Sequence, residues 1–506
     1  MLLLTALGAQ AAELKLAAVF SDHMVLQREK PVAVWGWAEA GASVTVEFAG
    51  QKKTAIADAN GKWLVKLDPL EACLESRDLI VTAENQQSKI GNLKLSDVLV
   101  GEVWLGAGQS NMEMAVAGAN NFAAEKAAAN FPLIRQYRES SGPAEKPQAE
   151  GQGLWQVCTP ATVGRFSATL YFFGREIHRE VGVPVGLLNS SVGATHIESW
   201  VSAEAQSSDL ETKVEYDAQL KGYDSFDEAK ATALYRAQVA AWKLATEKSK
   251  AGKQALSGKP YDIVAARKRK GPPAGLYNGK IINLAPFTLR GVLWYQGESN
   301  AGNPGLYRKQ LSQLVTSWRT LWSDELPFAW VQLPNFTAPG EGWPRIREAM
   351  MKTLELPKTG MAITIDIGDI KNIHPTNKQE VGRRLSLWAL GTVYGRKVPA
   401  ISGPLSVGHE IRGNEISVAF THTEGGLIAT DGEVKGFAVA GEDKEWKPAQ
   451  AKIAGDRVIV SGAAVARPVA VRYAWADNPV CNLYNGAGLP ASPFRTDSWP
   501  VAGAGK

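Results

Sequence analysis

Three short turns place a serine where it could act as a nucleophile: Gly108-Gln109-Ser110-Asn111, Asn189-Ser190-Ser191-Val192-Gly193 and Gly297-Glu298-Ser299-Asn300. Ser110 holds the strongest position. It follows the apolar run Val103-Trp104-Leu105-Gly106-Ala107 directly and precedes a helical stretch, so its hydroxyl is expected at the carboxyl edge of a sheet, where open α/β folds hold their ligands. A G-x-S-x-G nucleophile elbow is broken here, because Met112 stands at the last position. The competing reading is a plain helix cap, since Ser and Asn favour such positions for their backbone bonds. A serine nucleophile needs a base, and the chain has six His. His178 lies in an amphipathic helix, and His23, His409 and His422 fall in β regions, which leaves His196 and His374. His374 follows the strand pattern Met361–Ile367 and sits in a loop that ends at a helix N-terminus, at the same sheet edge as Ser110. It is the general base of this reading, taking the serine proton and returning it to a leaving alcohol.

The elements that must hold these groups change character along the chain. Residues 13–96 read as short alternating strands, among them Val32–Trp37, Ser43–Phe48, Lys62–Leu67 and Leu79–Ala83, separated by turns such as Ala59-Asn60-Gly61. A small N-terminal β-sandwich-like domain is expected. Over 97–400, buried strands such as Val185–Asn189 and Val292–Tyr295 alternate with helices, the pattern of an α/β fold with a doubly wound parallel sheet. Leu311, Leu314, Val315, Trp318 and Leu321 make an apolar stripe at helical spacing. A second helix is expected from Thr376, where Thr376-Asn377-Lys378-Gln379 has the form of a capping box. An Ala- and Lys-rich stretch over about 203–278 reads as a helical insertion, and 401–506 returns to strands as a C-terminal β region.

Composition narrows the classes. With 506 residues, 45% hydrophobic and 21% charged, the chain can bury a large core and is neither disordered nor coiled coil. A formal charge of +4 is no footprint for nucleic acid, and the basic run Arg267–Lys270 reads as a solvated surface. No stretch reaches the ~18 apolar residues of a membrane span. Cys73, Cys158 and Cys481 are far apart, which signals neither a zinc site nor a disulfide framework, and no cofactor is expected. Residues 1–12 form an apolar run ending in Ala9-Gln10-Ala11, the small-x-small pattern of a signal-peptidase site without its basic n-region. A periplasmic or secreted protein is the expectation.

Taken together, Gly108–Met112, Ser191-Val192-Gly193 before Ile197–Trp200, Trp294–Ala301, Ile373–Gln379 and the C-terminal Trp475–Tyr484 and Pro490–Phe494 resemble the sialate O-acetylesterase family, a branch of the SGNH (GDSL-like) hydrolases. The resemblance spans nearly the whole chain. It implies an SGNH-like central sheet, Ser110 as nucleophile, His374 as base, and an oxyanion hole from the N–H groups of Ser110 and Gly193 with the side-chain amide of Gln296. Glu298 is left as a support or a helix-cap acid. SGNH enzymes commonly place Asp three residues before the His, where this chain has Lys371. Asp369, Asp366 or a main-chain carbonyl near Asn372 therefore remain as partners of the imidazole, with the carbonyl-supported dyad favoured. The implied activity is removal of O-acetyl groups from sugars, either O-acetylated sialic acid or an acetylated plant glycan such as xylan or xyloglucan. The rivals are a glycan-binding protein with a relic site and a lipase-like or thioesterase enzyme of the same fold.

Overall fold

The fold was analysed in a computed structural model that describes residues 13–85, 89–251, 258–338 and 340–499. Its longest strand, Lys89–Gly108 (β1), runs through two regions. Its first half pairs antiparallel with Cys73–Glu84 and parallel with Val25–Gln27. Its second half forms the centre of the main sheet and delivers the turn that begins helix Ser110–Glu113 (α1). The boundary expected at 96/97 thus falls inside one continuous strand. Around β1 lie Phe131–Glu139 (β2), Gly153–Cys158 (β3), helix Ala168–Val181 (α2), Val185–Ser191 (β4), Gly291–Tyr295 (β5), helix Tyr307–Trp322 (α3), Phe328–Val331 (β6), helix Gly342–Lys352 (α4), Thr359–Ala362 (β7) and helix Lys378–Trp388 (α5). The strand order is β3-β2-β4-β1-β5-β6-β7. Five of the pairings are parallel, and only the β3–β2 edge is antiparallel, so the sheet is mixed.

The apolar runs of β5 and β6 explain why they occupy the middle. Along β5, Val292 and Trp294 join a cluster with Trp318 of α3 and Phe328, while Leu293 and Tyr295 join another with Leu170 and Phe173 of α2 and Leu385 of α5. A strand buried on both faces reads as a continuous hydrophobic run for this reason. Helix α2 is capped by Ser167, whose side chain accepts the Leu170 N–H, and it ends at Gly182 with φ +76°. Helix α5 starts later than its sequence suggests: Asn377 is the cap, accepting the Glu380 N–H at 3.2 Å. Thr376 instead donates its hydroxyl to Asn120 at 2.5 Å, because tertiary contact outcompetes the local box.

The stretch expected as a helical insertion holds four helices, Ala203–Ser207, Leu210–Asp224, Glu228–Ala251 and Ile263–Lys270. Its basic run is partly spent inside it. The Arg267 guanidinium stacks over Tyr223 at 3.5 Å and Phe226 at 4.4 Å, and Lys268 pairs with Glu228 at 2.5 Å. The C-terminal strands build two four-stranded sheets and a two-stranded one around a core that includes Val418, Val439, Val460 and Phe494. They are tied to the main sheet through Arg347 of α4, which is fully buried and donates to the carbonyls of Leu333, Pro334, Ala476 and Asp477. Burial pushes that guanidinium down to about 9. All three cysteines are free, and among the described residues no helix is long and apolar enough to cross a membrane. The segment read as a signal peptide lies outside the described residues.

Helices α2 and α5 meet at a glycine. A Cβ on Gly382 would lie 2.6 Å from both Phe172 Cβ and the Phe173 nitrogen. Gly382→Ala is therefore expected to lower stability by ~1–3 kcal/mol through overpacking. Gly222→Ala, at a helical position with nothing within 4 Å, should be neutral or slightly stabilising. Thermal unfolding of the two variants checks the sign difference.

Candidate active site

Three strand ends and one loop build the site. At the end of β1, Gly108 adopts φ +134°, and a Cβ there would lie 2.2 Å from the Tyr295 carbonyl oxygen. Only glycine lets the chain turn so close to β5. The Gln109 N–H then donates to that carbonyl at 2.9 Å, and α1 opens at Ser110, whose N–H is among the first-turn groups with no intrahelical acceptor. The loop after β7 carries His374, and its Nε2 lies 2.8 Å from Ser110 Oγ. That is hydrogen-bond distance for proton transfer between a nucleophile and its base. Ser191 bonds Asn189 Oδ1 instead, and the Ser299 N–H bonds Gln109 Oε1. Among the described residues neither of these serines has a hydrogen-bonded imidazole.

The separation of Ser110 and His374 is set by a buried junction centred on Asn111. Its Nδ2 donates to Glu298 Oε1 at 2.5 Å and to the carbonyl of Ile373, the residue before the histidine, at 3.0 Å. Its Oδ1 accepts from Lys378 Nζ at 2.6 Å. Lys378 is fully buried and its ammonium sits 5.1 Å from the centre of the Tyr295 ring. Burial pulls the Lys378 ammonium down to about 7 against the opposing pull of Glu298. Burial also raises the Glu298 carboxyl, which the Asn111 N–H counters. Glu298, left open by the sequence, is thus part of this junction. Farther out, the Asn120 N–H binds the Thr376 carbonyl and Gly368 N–H binds Asn335 Oδ1, pinning both ends of the histidine loop.

Several expected roles change. Gln296 is fully buried, and its Nε2 donates to the Thr195 carbonyl at 3.2 Å and to Asn300 Oδ1 at 2.7 Å while its Oε1 accepts from the Tyr307 hydroxyl at 3.0 Å. Both amide hydrogens are therefore spent on the framework, and neither is free for an oxyanion. Asp369 Oδ1 accepts the N–H groups of Lys371 and Asn372, and Asn372 Oδ1 accepts the His374 N–H. Both side chains brace the loop backbone and make no hydrogen bond to the imidazole. Asp366 is held by Arg384 at 2.6 and 2.8 Å. Among the described residues, His374 Nδ1 has neither a carboxylate nor a carbonyl partner, so the carbonyl-supported dyad gives way to an imidazole without an orienting acceptor. Burial, then the charge of Lys378, lowers its basicity below the ordinary imidazole value of 6.5.

Gly193 does stand at Ser110. A Cβ built on it would lie 3.3 Å from Ser110 Cβ, and its N–H donates to Glu113 Oε2 at 2.7 Å. Glu113, Asn111 and Lys378 were not singled out by sequence reasoning. The i, i+3 spacing of Ser110 and Glu113 within one helical turn was the available signal for the first. For Lys378 nothing in the local pattern distinguishes a buried lysine from a surface one. The arrangement can perform acyl transfer: a hydroxyl at hydrogen-bond distance from an imidazole, with the Ser110 and Gly193 backbones beside it.

Residues 274–389 match the family described as carbohydrate esterase, sialic acid-specific acetylesterase. The sialate O-acetylesterase of Rattus norvegicus is 29% identical over 529 residues, covering 95% of this chain and 94% of that protein. That of Homo sapiens is 28% identical over 530 residues, covering 95% and 92%. The solved structure of a carbohydrate acetylesterase from Xanthomonas citri is similar with a TM-score of 0.80 at 37% identity, covering 96% of this chain and 100% of that one.

Two measurements follow from the geometry. Asp369→Asn should lower kcat less than about tenfold, whereas a carboxylate that orients the imidazole would cost ~10⁴. The base must be neutral to accept a proton, and its depressed titration keeps the acid limb of kcat/KM below 6.5. Lys378→Met removes the positive charge beside it, so the limb should move upward; an unmoved limb in a folded variant refutes the assignment.

Proposed function

Because the chain belongs to the sialate O-acetylesterase family of carbohydrate esterases, we propose that Ser110 and His374 are the residues with which it removes O-acetyl groups from sugars. The chain is a carbohydrate O-acetylesterase, and a serine mechanism is general for such esterases. The observation that carries the residue assignment is the 2.8 Å contact between Ser110 Oγ and His374 Nε2. In this reading the hydroxyl attacks the acetyl carbonyl as the imidazole takes its proton. Negative charge develops on the carbonyl oxygen toward the N–H groups of Ser110 and Gly193, each such donor being worth ~3 kcal/mol. The sugar alcohol leaves with the proton, and a water activated by the same imidazole then releases acetate from the acyl-serine.

The central sheet is read as the doubly wound SGNH type, supported by α2 and α5 on one face and α3 on the other. The Ala9-Gln10-Ala11 pattern supports export to the periplasm or the medium. Within the substrate class, the sugar is an O-acetylated one, taken either as sialic acid or as a neutral glycan. Acetate release from O-acetyl sialic acids and acetylated xylo-oligosaccharides, measured side by side, separates these two.

Ser110→Ala should abolish acetate release from whichever sugar the enzyme accepts, by at least about 10³-fold, with folding intact by circular dichroism. Ser191→Ala and Ser299→Ala should retain most of it. Near-normal turnover by Ser110→Ala overturns the assignment.

A further inference from the structure

The amide that faces the reacting serine is already occupied. Glu113 Oε2 accepts the Gly193 N–H at 2.7 Å, and this is the one hydrogen bond its carboxylate makes among the described residues. No ion pair involves Glu113 there. The carboxylate cannot be far from the nucleophile: a Cβ at Gly193 would lie 2.9 Å from Glu113 Oε2 and 3.3 Å from Ser110 Cβ. Ser110 and Glu113 begin and end the single turn α1, and the Gly193 N–H is bonded to the second of them. The protein's own carboxylate thus rests where an acetyl carbonyl oxygen must arrive.

We propose that Glu113 is a resident gate on the Gly193 donor, which an ester carbonyl displaces and which excludes free carboxylates, the acetate product among them. The inference rests on the esterase reading above. One N–H offers one hydrogen, so Glu113 and an incoming carbonyl compete for it. A charge-assisted bond is roughly twice as strong as a neutral one, so the carboxylate outcompetes a neutral ester oxygen in the ground state. It loses that advantage once the oxygen becomes an oxyanion, which also draws on the Ser110 N–H. Displacing the carboxylate costs the bound ester and the transition state alike relative to the free enzyme, so the competition appears in KM with kcat little changed. The fraction of molecules with a free donor sets the apparent affinity. Acetate carries the charge of Glu113 without that remedy. It must take the donor from a like-charged group that cannot move far along the same turn, so the product binds poorly in its own cradle.

Steady-state kinetics with p-nitrophenyl acetate, with sodium acetate as inhibitor, test the gate in Glu113→Gln and Glu113→Ala. Removing the charge should lower KM by about threefold in the Gln variant and about tenfold in the Ala variant, with kcat within about threefold of the parent. The inhibition constant of acetate should fall at least about tenfold in both. Unchanged KM and acetate inhibition in both variants overturn the proposal. So does a kcat loss above about 100-fold with acetate inhibition unchanged, which would mark a structural part for Glu113. Calorimetric titration of sodium acetate into the parent, Glu113→Gln and Ser110→Ala/Glu113→Gln proteins reads the same competition without turnover. Tighter acetate binding only where Glu113 is replaced supports the gate even if Ser110→Ala keeps its activity and the nucleophile assignment fails. Equal acetate binding in all three proteins refutes the gate while leaving that assignment untouched.

Discussion

The amide of Asn111 is the joint on which the site depends. One planar group reaches three separate pieces of chain: the Glu298 turn after β5, the carbonyl before His374 and the ammonium at the start of α5. Because Asn111 follows Ser110 directly, every one of these bonds also fixes that serine. Placing a carboxylate and an ammonium in a core is costly, and taking either partner away from such a pair costs ~3–5 kcal/mol. The amide between them lets each charge meet a dipole instead of a void. The face of Tyr295 adds to the lysine's side of this balance. A site built this way holds its geometry through buried polar contacts in a low-dielectric setting, where each hydrogen bond is stronger than in water, with Glu298 Oε2 left without a partner among the described residues.

On the proposed assignment, this arrangement lets the His374 imidazole act without a carboxylate. In a triad the acid fixes the tautomer and stabilises the imidazolium. Here the ring is aimed by its backbone, through the loop stapled by Asp369 and Asn372 and the Asn111 bond to Ile373. The charge that acts on it, the ammonium of Lys378, has the opposite sign from that of a triad acid. The result is a weaker base that stays unprotonated at lower pH, a different compromise between proton affinity and availability.

What the sequence made legible follows the range of the interactions. Ser110 was readable because an apolar strand, a glycine and a helix start are neighbours in the chain, and the stripe of α3 because its period is local. His374 was reached by elimination among only six histidines. The resemblance to a family then supplied Gly193, which the fold does place beside the serine. Gln296 went wrong because the direction of an amide depends on Thr195, Asn300 and Tyr307, residues whose proximity no local pattern encodes. Asp369 failed for a similar reason: an aspartate near a histidine can serve the loop's own N–H groups as an Asx turn, and it does. The expected boundary at 96/97 falls within β1, at the kink where Asp97 takes φ +58°.

That unbroken strand has a mechanical meaning. The backbone bonded to Cys73–Glu84 at one end is the same ribbon that leads to Ser110 at the other, kinked once at Asp97, whose φ is +58°. Because one strand belongs to both regions, the packing of the N-terminal strands and the placement of the Ser110 turn share a backbone. The N-terminal strands thus hold one end of the strand whose other end is fixed at the serine turn.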